Sequence, residues 1–186
     1  MNNKQIAKHA LSFIGGIPTV NRYYSNDQDK QIDVMCCKET KYAETNIYAT
    51  IGLNEFDGGV TSGNVAVRIE LIAVAPANSE YMGNIIASTA FEVIDNGSFR
   101  YGDIIQNVVE TYVTETNLKH AVLVSPVYWD NYTPYTADGV SVSWLMIIPI
   151  TDEEMKYINA NGIDAFERKL AECSVDILDM KRDSLV

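Results

Sequence analysis

Histidine is nearly absent from this 186-residue chain, with only two, His9 and His120. Cysteine is scarce too, at Cys36, Cys37 and Cys173. These five residues form no C-x-x-C motif and no histidine pair at metal-ligand spacing, so no metal set and no cofactor is expected. An odd, low cysteine count argues against a disulfide framework and fits a reducing compartment. Cys36 and Cys37 are neighbours on an extended segment and point to opposite faces, so they should not bond each other. No G-x-S-x-G elbow is present, which removes the usual basis for a serine hydrolase. The glycine-rich stretch "GGVTSGN" lacks the Lys-Ser/Thr ending of a phosphate loop and precedes a strand, so it reads as a turn. The acidic spacings in "SNDQDKQID" and "DNGSFRYGD" lack the glycine and closing glutamate of a calcium loop.

Long apolar runs are also missing; the longest falls well short of a membrane span. The opening "MNNKQIAKHALSFIGG" has neither a long apolar core nor a small-residue cleavage site. A cytoplasmic protein with no membrane partner is expected. Positive charge is in deficit, with 14 Lys and Arg against 25 Asp and Glu, a net charge of −11 and a pI near 4.5. Such a field repels nucleic acid and anionic lipid. It attracts a basic partner and speeds its encounter at low salt, although the same charge also serves solubility.

What the chain does contain is ordinary globular material. Apolar residues make up 47% and charged residues 21%, which places it among folded rather than disordered chains. Ile6, Ala10, Phe13 and Ile14 share one face of a helix over 3–14, stopped by Gly15-Gly16. The following "IPTVNRYYSNDQDK" reads as a loop with some extended structure. Residues 31–38 and 45–53 read as a hairpin, and 65–75 as a central strand, alternating early and continuously apolar later. Residues 78–97 read as a helix capped by Asn78 or Ser79 and stopped by Gly97. Segment 103–109 is ambiguous, while 120–127 and 140–150 are strands. Thr151 stands three residues before Glu154, the spacing of a capping box. Gly162, in a left-handed conformation, then separates that helix from another over 163–173. The sum is an α+β protein, a single layered domain over 1–186 with a central mixed β-sheet flanked by helices.

The candidate functional stretch is "SPVYWDNYTPY". It holds Tyr128, Trp129, Asp130, Tyr132 and Tyr135, and aromatic rings with polar handles are typical interface anchors. The other reading is that these rings cover the edge of the core. Tyr128, Trp129, Asp130 and Tyr132 are the expected partner contacts, with edge-strand pairing as a second mode. The rival function is an enzyme or small-molecule binder whose site joins scattered carboxylates, His120 and tyrosines. A third is a structural subunit of a homo-oligomer.

A series of motifs then carries a family resemblance. The tail runs "PIT", "DEEMKYINANGIDAFERKL" and "VDILDMKRDSL", with Pro149, Thr151, Glu154, Gly162, Asp179, Arg182 and Ser184 at the pattern positions. Upstream, Thr50, Gly52 and Asn54 fall on a T-x-G-x-S pattern, with Asn54 in place of the serine. Glu70, Leu71 and Pro76 fall on an E-L…P strand, and "SPVYW" on a later proline-marked segment. In this order, over residues 32–184, the chain resembles the Suppressor of fused domain family. The resemblance implies binding rather than catalysis. The family's animal member clasps a short peptide of a transcription factor as an added strand, and single-domain bacterial relatives are associated with polymorphic toxin systems as immunity proteins. The expectation it adds is an immunity protein that binds and masks a toxin, possessed of no catalytic residues, the toxin being a basic one such as a nuclease.

Overall fold

The computed structural model describes residues 2–130, 132–173 and 175–186. Helix α1 (Asn3–Ile14) opens on a capping box, in which the Asn2 side chain accepts from the Gln5 N–H and the Gln5 side chain from the Asn2 N–H. The strands that follow are β1 (Ile17–Tyr24), β2 (Gln31–Lys38), β3 (Thr45–Ile51), the short β4 (Thr61–Ser62) and β5 (Val65–Pro76). Helix α2 (Met82–Asn96) leads to β6 (Ile104–Ile105), β7 (Leu118–Val124), β8 (Tyr135–Ala137) and β9 (Val140–Thr151). Helices α3 (Asp152–Asn161) and α4 (Ile163–Cys173) follow.

Among the described residues the strands form one nine-stranded sheet in the order β1-β2-β3-β5-β9-β7-β6, with β4 added on β5 and β8 on β9. The β5–β9 pairing is parallel and the others are antiparallel, so the sheet is mixed as expected. Strand alternation sorts the core onto both faces. Ile32, Val34 and Cys36 of β2 join Ile69 and Leu71 of β5 beneath Ile85, Ile86 and Ala90 of α2. Met35 and Cys37 join Ile47, Ile72 and Val74 on the opposite face, under Ile6 and Phe13 of α1, Ile158 of α3 and Phe166 of α4. The apolar later half of β5 is therefore explained by burial on both sides. Cys36 and Cys37 lie on opposite faces as free thiols, and burial pushes the Cys37 thiol up to about 11.

Three local expectations are corrected. Residues 17–24 form a full strand rather than a loop, because β2 offers an eight-residue ladder to pair with. Helix α2 begins at Met82, not at 78, and its N-cap Tyr81 makes no side-chain capping bond. Gly162 has the positive φ of +83° that favours glycine, but with an extended ψ of 162° rather than a left-handed one. Its N–H donates to the Ile158 carbonyl and ends α3 there. Gly83 matters for a different reason. A Cβ at that position would lie 2.2 Å from Tyr23 Oη, so α2 and β1 meet this closely only because residue 83 has no side chain.

Two buried polar clasps lock the sheet to its flanks. The first centres on Glu70, wholly buried in β5. Its carboxylate accepts from Thr50 Oγ1 at 2.5 Å, the Gly52 N–H at 2.8 Å, and both the Asn54 N–H and Asn54 Nδ2 at 3.2 and 2.6 Å. Complete burial pushes the Glu70 carboxyl above the usual range, against the pull of these donors. Asn54 supplies both its backbone and its side chain, and its Nδ2 also donates to Asn3 of α1. The second clasp is the capping box itself. The Thr151 N–H donates to Glu154 Oε2 at 3.0 Å, and the Glu154 N–H to Thr151 Oγ1 at 3.1 Å. Arg182 then grips the same carboxylate in bidentate fashion, at 2.5 and 2.8 Å, and donates to the Pro149 carbonyl at 2.9 Å. The Leu185 N–H also donates to Glu154 and Thr151 Oγ1 donates to Ser184 Oγ, so the tail is strapped across the junction of β9 and α3.

Removing one member of a buried ion pair strands the other charge. Arg182→Ala is therefore expected to cost about 3–5 kcal/mol in urea unfolding. It should also open residues 175–186 to limited proteolysis, and Glu154→Ala should do the same.

Candidate partner-binding surface

The aromatic loop leaves β7 at Val124 and returns to the sheet at Tyr135. Trp129 is only 3% exposed and packs into the core face beneath α1. Its ring meets Phe13, Tyr42 and Tyr128 edge-on, with centroids 5.9, 6.3 and 5.9 Å away. Tyr132 is half-buried. Its hydroxyl accepts from the Trp144 N–H at 2.9 Å, and its ring meets Phe13 at 5.5 Å. Tyr42 Oη donates to the Tyr128 carbonyl, and His9 Nε2 donates to the Thr133 carbonyl at 2.8 Å. The loop is thus tied to α1 and to the β2–β3 link. Of the four expected contacts, Asp130 is exposed, Tyr128 and Tyr132 show part of their rings, and Trp129 backs the loop from inside.

His120 lies in β7 and is 2% exposed. Its Nδ1 accepts from the Asn107 N–H at 2.9 Å, which fixes the proton on Nε2, and Nε2 donates to Asp152 Oδ1 at 2.9 Å. Both ring nitrogens are therefore engaged, and neither is left to accept a substrate's proton. Asp152 also pairs with Lys119. Hydrogen bonds from Lys119 and then His120 lower the Asp152 carboxyl to about 2.

Two clefts among the described residues each hold only part of the group set that an enzyme reading needs. One of about 410 Å³ runs between α2, Tyr24 and Tyr112, with Asp27, Glu92 and Asp95 on its walls, and His120 is not part of it. Another of about 400 Å³ lies at the start of α3, lined by Lys119, Asp152, Glu153 and Asp183, with no tyrosine. Among the described residues no group of three or more His, Cys, Asp or Glu could hold a metal ion, and no helix is long and apolar enough to cross a membrane.

Charge is unevenly distributed. Residues 1–50 carry six Lys and Arg against five Asp and Glu, whereas residues 51–186 carry eight against twenty. The acidic excess thus lies in the later part of the sequence, which includes α2, whose Asp95 pairs with Lys30, as well as β5, β7, β9 and the last two helices. The sequence reading missed this polarity because it used only the total, and the signal was available by counting in segments.

The family profile described as Suppressor of fused protein (SUFU) matches residues 28–183, and the chain belongs to this family. It is 30% identical over 186 residues to Immunity protein YqcF of Bacillus subtilis (strain 168), covering 99% of this chain and 97% of that protein. Its fold is similar to the crystal structure of a putative SUFU homolog from Neisseria gonorrhoeae FA 1090, with a TM-score of 0.74 at 20% identity over 99% of this chain and 96% of that one. It is also similar to a chain of the Sufu–Fu complex, with a TM-score of 0.68 at 13% identity, covering 99% of this chain and 92% of that one. Drosophila Suppressor of Fused gives 0.54 at 12% identity, covering 90% of this chain and 42% of that one.

Two measurements follow. Trp129→Ala should act as a packing deletion, lowering stability by about 3–5 kcal/mol. Asp130→Lys, on an exposed position, should stay within about 0.5 kcal/mol of the parent by urea unfolding. Because the Asp152 pKa is depressed, its contribution is present above the ordinary aspartate range and is lost as pH falls from about 4 towards 2. Asp152→Asn should flatten the stability–pH curve in that window.

Proposed function

We propose that this protein is a non-catalytic immunity protein that binds and masks a protein toxin of basic character. The observation that carries this reading is the end-to-end identity to a protein named an immunity protein. The Sufu–Fu complex adds that a protein of this fold takes a protein partner. The net charge of −11 supports a basic toxin, such as a nuclease, drawn to the acidic chain. Inhibition would then be steric and electrostatic occlusion, with no chemistry asked of the engaged His120.

The contact surface in this reading is the aromatic loop at the end of β7. Asp130 offers charge, and Tyr128 and Tyr132 offer ring edges with polar tips. Trp129 acts beneath them, holding the loop in shape so that little ordering is required on binding.

The experiment is capture on the tagged chain from lysate of the native host, followed by co-expression of the captured protein with and without this chain. The expected result is a basic protein held at roughly 50 mM salt and released by roughly 500 mM, as screening shortens the reach of the acidic field. That protein should arrest growth alone and be harmless with this chain. Tyr128→Ala with Asp130→Lys should weaken its binding at least about tenfold, as loss of central contacts does. Undiminished binding by that folded double variant would remove the loop from the interface. A captured protein that is equally toxic in both co-expression arms would overturn the immunity reading.

A further inference from the structure

The cleft of about 410 Å³ beside α2 is built from three segments far apart in the chain: the end of β1 with the turn after it, the exposed side of α2, and residues 106–112. Each segment is held by a specific polar contact. Lys30 of the turn pairs with Asp95 of α2 at 2.8 Å and with Asp29 at 3.5 Å. The hydroxyls of Tyr112 and of Ser88 in α2 share a hydrogen bond of 2.7 Å. Asn107 has a φ of +61°, in the left-handed region that few residues other than glycine enter, and its N–H donates to the buried His120 Nδ1 at 2.9 Å. The walls are therefore set before anything binds, which lowers the ordering cost of binding. What they expose is one-sided in charge. Asp27, Glu92 and Asp95 line the cleft against one ammonium, that of Lys30, which already serves two carboxylates. The Asp27 and Glu92 carboxylates have no hydrogen bond or ion pair among the described residues. Two tyrosines stand with them, Tyr24 at 58% and Tyr112 at 39% exposure.

We infer that this cleft receives arginine side chains of a basic protein partner. Unpaired carboxylates favour a cation, and among the described residues no group of three or more His, Cys, Asp or Glu could hold a metal ion. Nucleic acid and anionic lipid are repelled by the same charge. A guanidinium matches the carboxylates and the rings together. It binds a carboxylate through two parallel N–H groups and stacks on an aromatic face, whereas an ammonium is a strongly hydrated point charge. The inference rests on the proposed function for the source of the arginine and adds a second surface to it. Phe91 and Val108 of the cleft belong to the core under α2, while Tyr128, Trp129 and Tyr132 belong to the opposite face of the sheet. A partner held at both surfaces wraps around the sheet rather than resting on one side of it.

The test uses the purified full chain and a capped tri-arginine peptide, with its neutral citrulline isostere as control, so no toxin is needed. In heteronuclear NMR spectra at roughly 50 mM salt, the arginine peptide should shift the amide signals of residues 24–30, 88–95 and 106–112, and the citrulline peptide should not. Asp27→Asn with Glu92→Gln removes two charges that no contact in the fold uses. It should raise the peptide's dissociation constant at least about tenfold and leave the rest of the spectrum in place. Tyr24→Leu should raise it about threefold, as loss of an exposed cation–π contact does. Absence of these shifts up to roughly 10 mM peptide overturns the inference. So do shifts spread over the acidic surface or centred on the aromatic loop, equal binding of the citrulline peptide, and affinity indifferent to the double variant. The immunity reading is judged apart, by toxicity in the co-expression arms, so either can fail while the other stands.

Discussion

The bidentate pair between Arg182 and Glu154 is the constraint on which the C-terminal half of the fold depends. Glu154 is wholly buried at the first turn of α3, where its carboxylate already closes the helix cap through the Thr151 N–H. An uncompensated charge there would be intolerable, so the chain must bring a guanidinium back to it from 28 residues further on. The return path crosses the end of β9, which is why the Pro149 carbonyl also receives a bond from Arg182. Helix start, strand end and chain tail are consequently one cooperative unit rather than three adjacent pieces.

Glu70 plays the matching part on the other side of the sheet. Its four donors come from the end of β3 and the turn after it, so a single carboxylate sets how β3 leaves the sheet and where α1 docks through Asn3. The residues that carried the family resemblance therefore have a shared physical meaning. Thr50, Gly52, Asn54 and Glu70 form one clasp, and Pro149, Thr151, Glu154, Arg182 and Ser184 form the other. Both stabilise the scaffold.

Much of this was legible in the sequence. Helical periodicity gave α1, the Thr-x-x-Glu cap and the glycine stop gave α3 with α4 after it, and the continuous apolar run gave a central β5. β1 was not legible as a strand because its side chains are exposed on both faces, leaving no apolar alternation to read. The start of α2 was misplaced because Asn78 and Ser79 look like caps, yet that turn is spent reaching the helix from Pro76. In the candidate site, sequence located the loop but not the direction of its rings. Phe13 and Trp144, far away in the chain, draw Trp129 and Tyr132 inward, and no local pattern announces such a contact. His120 entered the sequence reading only as a member of the rival enzyme-like site, and its partner Asp152 emerged only when β7 came to lie beside β9.

The parallel pairing at the middle of the sheet has a temporal consequence. Ala66 of β5 meets Val140 of β9, so the central ladder joins segments 74 residues apart in the chain. Strands β1, β2, β3 and β5 form an antiparallel meander of local contacts that can assemble early, and β5 must then wait for its second neighbour. During synthesis the apolar side of that waiting strand is a bare template for pairing with other chains. The protein's hazard in the cell is thus concentrated in the interval between completing residue 76 and delivering residue 140, and expression conditions that slow elongation across that interval lengthen the exposure.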